Sequence, residues 1–350
     1  MKRRLSAITV DRGVGGAVLL FAVCAPLFMT SYWVGDLLTQ TLILGIVAAS
    51  LIFLSAYGGM VSLAQVSLYG VAGFVVGNLT TNGNTKGLNL GWNPWWGVVV
   101  GIAIATAIAL VFGALSSRST GIYFLMITLT FSVIANYFFG QVTTVSGFGG
   151  ISGIPAPSLI GNVNAHQNRL YYVALGVALF LYVVLRYVVR TPFGLTLQGV
   201  RDDPLRMSSL GYGVSLHRTL AFGFAGMVAA FGGVLFVWWN QHIDPASIQL
   251  SATIDVLVIA VIGGLYRLEG AWLGAFVFVI LNNYVQRIGF WSLSTRFETV
   301  IGAIFLLVVL LSPRGLIGLW ERLVDVLPGR ERGTRDISNA LETGAAEPSV

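Results

Sequence analysis

Residues 191–211, TPFGLTLQGVRDDPLRMSSLG, set Arg201, Asp202, Asp203, Pro204 and Arg206 between two long apolar runs, 170–189 and 219–239. Adjacent charges of both signs, punctuated by Gly and Pro, suit ion pairs and hydrogen bonds to a surface that lies in water. A second polar set lies inside apolar stretches: Ser62, Gln65, Ser67, Thr128, Thr130 and Asn136. Hydroxyls and amides at membrane depth need hydrogen-bond partners, and either a solute pathway or a neighbouring helix can supply them. Both readings stand: the six line a pathway, or they tie helices together. Gln65, whose amide donates and accepts, is the strongest pathway candidate. Asn282 and Asn283 offer the same chemistry near the end of an apolar run.

Other chemistries find no residues. Cys24 is the single cysteine, so the chain can form neither an internal disulfide nor a Cys-based metal framework. His166, His217 and His242 fall in three different loops, which reads as solvated surface and leaves no metal site to propose. A Walker loop needs a Lys that follows Gly and reaches the phosphates. The only lysines are Lys2 and Lys86, and Lys86 sits in Asn84-Thr85-Lys86-Gly87. The chain is therefore expected to carry no ATPase of its own, no cofactor and no enzymatic activity. Buried Ser and Thr show no nucleophile–base pairing and read as helix hydrogen bonds. Ion-coupled carriers usually keep ionisable groups at membrane depth. Here Asp36, Asp255 and Glu298 fall at the ends of apolar runs, and Asp244 and Glu269 fall in loops. That weighs against ion coupling, although backbone carbonyls can also bind sodium.

The elements that position these residues are membrane spans. Of 350 residues, 56% are hydrophobic and 10% charged, whereas soluble domains carry roughly 25% charged residues. An all-α polytopic membrane protein follows. A span takes about 20 apolar residues. Ten candidates meet or approach that length: 14–34, 39–56, 60–79, 94–115, 121–139, 170–189, 219–239, 253–267, 270–286 and 297–312. The third and eighth are the least regular, because Gly58-Gly59 and Gly263-Gly264 interrupt their surroundings. Such glycine pairs either break a helix beside a pathway or let helices pack closely. The two pairs align at a fixed offset, but both fall on one side, whereas an inverted repeat would separate them. The alignment reads as chance.

Charge orients the spans. With the N-terminus inside, 16 of the 20 Lys and Arg lie on the cytoplasmic side, and only Lys86, Arg169, Arg287 and Arg296 lie opposite. The positive-inside rule thus predicts both termini in the cytoplasm. The net charge of +6 describes that face, and no basic–aromatic pattern points to nucleic acid. The organisation is a tail over 1–13, a membrane domain over 14–312 with a cytoplasmic loop at 190–218, and a tail over 313–350. The last stretch has the composition of a disordered end. The start, MKRR before an apolar run, reads as a retained signal-anchor helix. Within the 190–218 loop, Leu195, Leu197, Val200, Leu205, Met207 and Leu210 interleave with polar residues. That pattern predicts a short amphipathic helix broken near Pro204. It can lie on lipid headgroups or dock a soluble protein. With no ATPase inside, the chain points to a permease driven from elsewhere through this loop.

The loop resembles the cytoplasmic coupling segment of LivM-type permeases, the branched-chain amino acid subfamily of ABC importers. The residues that carry the likeness are Thr191-Pro192-Phe193-Gly194, Val200-Arg201-Asp202-Asp203-Pro204 and Leu210-Gly211. Leu195 and Ser208-Ser209 depart from the family pattern. Four more stretches match in order: Gly58 to Gln65, Gly121 to Phe131, Gly263 to Ala275, and Pro313-Arg314-Gly315-Leu316 with Gly318. Val133 replaces a polar residue common in the family. The resemblance implies an inner-membrane, multi-pass subunit working with two cytoplasmic ABC ATPases, which would bind the ATP and Mg. It also implies a homologous second permease and an extracytoplasmic solute-binding protein. Gly194, Arg201, Asp202, Asp203, Pro204 and Gly211 would then form the ATPase-docking segment. Branched-chain or related amino acids are the implied solutes, with urea or short amides as a variant of the same family. An ion-coupled secondary transporter and a non-transporting membrane scaffold are the readings of other classes.

Overall fold

The computed structural model describes residues 22–26, 28–30, 32–82, 87–158, 160–161 and 167–287, together with Gly302, Leu306, Gly315, Leu316 and Gly318. The described chain is almost wholly helical. A π-helical stretch, Trp33–Leu38, runs directly into α1 (Thr39–Gly58). Then come α2 (Gln65–Thr80), α3 (Pro94–Ser116), α4 (Ile122–Gln141) and α5 (Gln167–Arg190). Two short helices, α6 (Pro192–Asp202) and α7 (Pro204–Ser209), precede α8 (Val214–Asn240), α9 (Leu250–Gly263) and α10 (Gly270–Arg287).

Five of the described helices are long and apolar enough to cross a membrane: Trp33–Gly58, Pro94–Ser116, Ile122–Gln141, Asn168–Arg190 and Val214–Asn240. The expected ten-span count is therefore met only in part. The 16 residues of α2 and the 14 of α9 rise about 24 and 21 Å, short of a hydrocarbon core of about 30 Å. Both were counted as spans because apolar residues continue past the helix ends. The boundary of the first two spans also moves. Residues 35–38 are helix, not a connection, and the helical run instead lapses at Met29 and Thr30. Gly35 and Asp36 look like a loop, but the Gly35 carbonyl accepts the Trp239 indole N–H at 2.8 Å, which holds this turn inside the bundle. The span expected at 297–312 lies outside the described residues apart from Gly302 and Leu306.

Burial separates a core from a rim. In α1 with its π-turn 78% of the apolar window is buried, and in α8 72%, against 22–28% for α3, α4 and α5. The apolar outer faces of those three helices are what lipid or another membrane subunit would cover. α8 sits at the centre and packs against α1, α2 and α3. Close approach is built in at Gly233, where a Cβ would stand 2.0 Å from the Tyr69 carbonyl oxygen. Phe74 of α2 stacks on Phe139 of α4, and Phe112 of α3 stacks on Phe131, each with centroids 4.0 Å apart. At one end, a two-residue antiparallel bridge pairs Ile151 with Ile243 and Ser152 with His242. It places Ile151 and Ile243, with Ile248 from the adjoining turn, over the glycine-lined face of α2.

Candidate functional site: a broken helix beside a surface segment

Helix α1 ends where Gly59 takes a left-handed conformation, φ +65°, and the next helix does not start until Gln65. The intervening stretch, 60–64, is non-helical backbone inside the protein. Its groups need partners there, since a buried backbone N–H or C=O left unpaired is costly. Side chains supply them. The Leu63 amide donates to Thr128 Oγ1 at 3.1 Å, and the Ala64 amide to Ser62 Oγ at 3.2 Å. Gln65, only 1% exposed, accepts from Ser50 Oγ at 3.1 Å and reaches Ser62 Oγ at 3.5 Å. Thr128 in turn donates to Leu125 O at 2.9 Å. Each such bond contributes about 1 kcal/mol, but a buried amide left unmet would cost about 1–3. The network therefore fixes the shape of the break.

Of the six polar residues singled out in the sequence, the structure gathers Ser62, Gln65 and Thr128. Ser67 is buried one turn further along and donates back to Ala64 O at 2.7 Å. Thr130 sits on the exposed side of α4 and bonds its own helix at Met126 O. Asn136 lies towards the far end of α4, where its amide donates to Pro245 O at 2.7 Å. The gathered residues thus meet protein partners, which favours the helix-tying reading for them. Ser50 completes the network and was not singled out. An apolar run with scattered serines, here Ser50 and Ser55, gives no signal of which face each takes. Ser132 and Thr253 form another missed buried pair, 3.1 Å apart, joining α4 to α9.

The segment 191–211 adjoins the break. Thr191 caps α6 by accepting the Gly194 amide, and Pro192 opens the helix. Gly194 is buried, and a Cβ there would lie 2.3 Å from Val188 O and 2.5 Å from Val189 O. Only glycine lets α6 fold back this tightly on α5. The chain breaks at Asp203, which accepts the Arg206 amide at 2.9 Å and so starts α7 at Pro204. Gly211, at φ +88°, ends the segment in the left-handed region. Leu197 and Val200 face inward, while Leu195, Leu205 and Leu210 are exposed by 62–79%. Arg201 turns inward. It donates to the Ala56 carbonyl oxygen in the last turn of α1, pairs with Asp202 at 2.8 Å and packs its stem over Gly59. Asp202 is mostly exposed, with 65% of its side chain accessible. Phe193 stacks on His217 of α8 with centroids 6.0 Å apart, a second tie between segment and core.

The other glycine pair closes a separate junction. A Cβ at Gly263 would meet Gly270 O at 2.0 Å, and Gly264 takes φ +113°. Gly58, by contrast, ends α1 with only Met60 close by. Next to Gly59, a cavity of about 330 Å³ opens between the break, the start of α4 and α8, where Arg218 lines it. Arg218 was read from sequence only as one more positive charge of the loop, because it precedes the apolar run of α8. Among the described residues no group of three His, Cys, Asp or Glu gathers to hold a metal.

The family model for the branched-chain amino acid transport system / permease component matches residues 34–310. The chain belongs to this family. Its likeness to LivM-type permeases, first read from the 191–211 segment, is shared with individual members. The high-affinity branched-chain amino acid transport system permease protein LivM of Salmonella typhimurium is 24% identical over 240 residues, covering 62% of this chain and 55% of the relative. The same figures hold for LivM of Escherichia coli K12. A probable branched-chain amino acid transport permease protein LivM of Methanocaldococcus jannaschii is 25% identical over 182 residues, covering 48% of this chain and 52% of the relative. The chain spans about half the length of the curated relatives it matches. No solved structure matches it significantly.

Proposed function

We propose that this chain is the permease subunit of an ATP-driven importer that moves branched-chain or related amino acids across the inner membrane. The named relatives support the solute class, and the tie from α6 to α1 supports the drive. In this reading both termini are cytoplasmic. One ATPase docks on the exposed side of α6 and α7, and the other docks on a second, homologous permease that covers the apolar faces of α3 to α5. An extracytoplasmic binding protein delivers the solute. The ATPase and its Mg-bound nucleotide do the hydrolysis; this chain converts closure of the ATPases into movement. Leu195, Leu205 and Leu210 form the apolar contact, rimmed by Asp202, Asp203 and Arg206. A push on α6 reaches α1 through Arg201, at the point where the helix breaks, and reaches α5 through Gly194. The Ser62–Gln65–Thr128 network then keeps the break in shape as α1 and α4 shift.

The observation that carries the reading is Arg201. A charged residue of a surface segment bonds the end of a core helix at its break. The test is purification of the tagged chain from its native operon. Two nucleotide-hydrolysing subunits should copurify with the chain, and Leu205→Glu should lose the one docked here, while the mutant chain stays in the membrane. A well-inserted Leu205→Glu chain that keeps both subunits would overturn docking at this face.

A further inference from the structure

The cavity beside Gly59 has a lining with one-sided chemistry. Met60, Val61, Phe124 and Leu125 give it apolar walls, and Ser119 and Thr120 contribute polar groups. Arg218 is its one ionisable lining residue. Among the described residues no Asp or Glu lines it, and Arg218 makes no hydrogen bond or ion pair with any of them. Its Nε is shut off from solvent without an acceptor. An Nε–H kept from solvent without an acceptor is costly, and a charge-assisted bond to an oxyanion is the interaction that relieves it. The position is fixed from both sides, since Ser117 of the α3 end bonds Ser215 of α8 at 2.6 Å, three residues before Arg218. The amides at the start of α4 adjoin the same space and favour the same sign of charge.

We infer that this cavity binds a small monocarboxylate with an apolar body, held at its carboxylate by Arg218 and the Ser119–Thr120 edge. One cation matches one negative charge; a phosphate dianion would be left half-neutralised. A volume of about 330 Å³ falls at the small end of ligand sites, roughly 300–1,000 Å³, which suits a branched aliphatic acid. No acidic group is there to meet an ammonium, so the ligand is a carboxylate without the amino group, and not the zwitterionic amino acid. The occupant touches Gly59, over which Arg201 packs, so it sits against the tie between α6 and α1. This site goes beyond the transport reading and does not depend on it.

The test uses the full chain in phosphatidylcholine nanodiscs and equilibrium binding of labelled 4-methylpentanoate. Leucine, isopentylamine and short-chain phosphatidylglycerol are the competitors. Saturable binding is expected. It should weaken about tenfold or more in Arg218→Gln, as for loss of one charge-assisted contact. Val61→Phe, which fills the cavity and leaves the charge in place, should also abolish binding, and retained helical circular dichroism in either variant shows that the fold survives. Leucine and isopentylamine should compete at least about tenfold more weakly than unlabelled acid. Absence of binding, equal competition by leucine or the amine, binding unchanged in both folded variants, or displacement by the lipid alone would each overturn the assignment.

Discussion

Replacing Arg201 by Met separates two roles that the sequence merges. Met keeps an apolar stem to cover Gly59 but removes the guanidinium that bonds Ala56 O and pairs with Asp202. A hydrogen bond from a charged donor contributes about 1.5–3 kcal/mol, and a cation at a helix C-terminus about 0.3–1. The Arg201 side chain is 36% accessible, so solvent screening trims the sum, and the Asp202 pair adds little at the surface. A net loss of about 1–2 kcal/mol remains. Arg206 is the control: 78% of its side chain is accessible and its pair with Asp203 spans 3.5 Å, so Arg206→Met should change stability by under about 0.5 kcal/mol. The assays are thermal unfolding of the purified chain in detergent, copurification of ATPase subunits, and solute uptake. Arg201→Met should melt several degrees lower, keep its ATPases and lose most uptake, since the segment would dock but no longer pull on α1. A variant that melts like the wild type and loses its ATPases would refute this, making Arg201 a docking residue and not a tie.

Three further outcomes are expected. Gly194→Ala puts a Cβ 2.3 Å from Val188 O, so α6 must lift from α5; uptake should fall at least about tenfold, and crosslinking between cysteines placed in α5 and α6 should report the displacement. Gln65→Leu removes the amide that accepts from Ser50 Oγ and reaches Ser62 Oγ, while Ser50 keeps Val47 O at 2.6 Å, so it should destabilise by about 0.5–1.5 kcal/mol in detergent unfolding, with the KM for uptake unchanged; a raised KM at unchanged stability would make Gln65 a solute contact. Gly233→Leu drives a side chain into the Tyr69 backbone and should abolish membrane accumulation, measured by immunoblot of the membrane fraction.

Length and apolarity alone placed α3, α4 and α5 to within a few residues, because helices with an apolar outer face need nothing else. Pro204 marked the break between α6 and α7, since proline opens a helix and disfavours helical backbone before it. The start of α2 was not legible. Met60, Val61, Leu63 and Ala64 read as helix by composition, and it is Thr128 and Ser62, the first of them 65 positions from Leu63, that make the non-helical path tolerable. Facing was equally hidden. Thr128 and Thr130 are two residues apart on an apolar helix, yet one is buried and the other exposed. No polar stripe marks the inner side of a helix whose outer side is apolar as well. Arg201 looked like a surface charge because it lies among surface charges; its inward turn depends on the carbonyl that α1 leaves unmet at its end. Arg218 gave no signal of its setting, since the lack of a counter-charge among the described residues is visible only in three dimensions.

Reconstitution tests the transport reading most directly. The chain, copurified with its operon partners, is placed in proteoliposomes with its binding protein outside, and entry of labelled leucine is followed with ATP supplied within or withheld. Uptake should require ATP and should be competed by isoleucine and valine but not by urea. Uptake driven by a sodium or proton gradient without ATP, or urea entry without branched-chain competition, would contradict it.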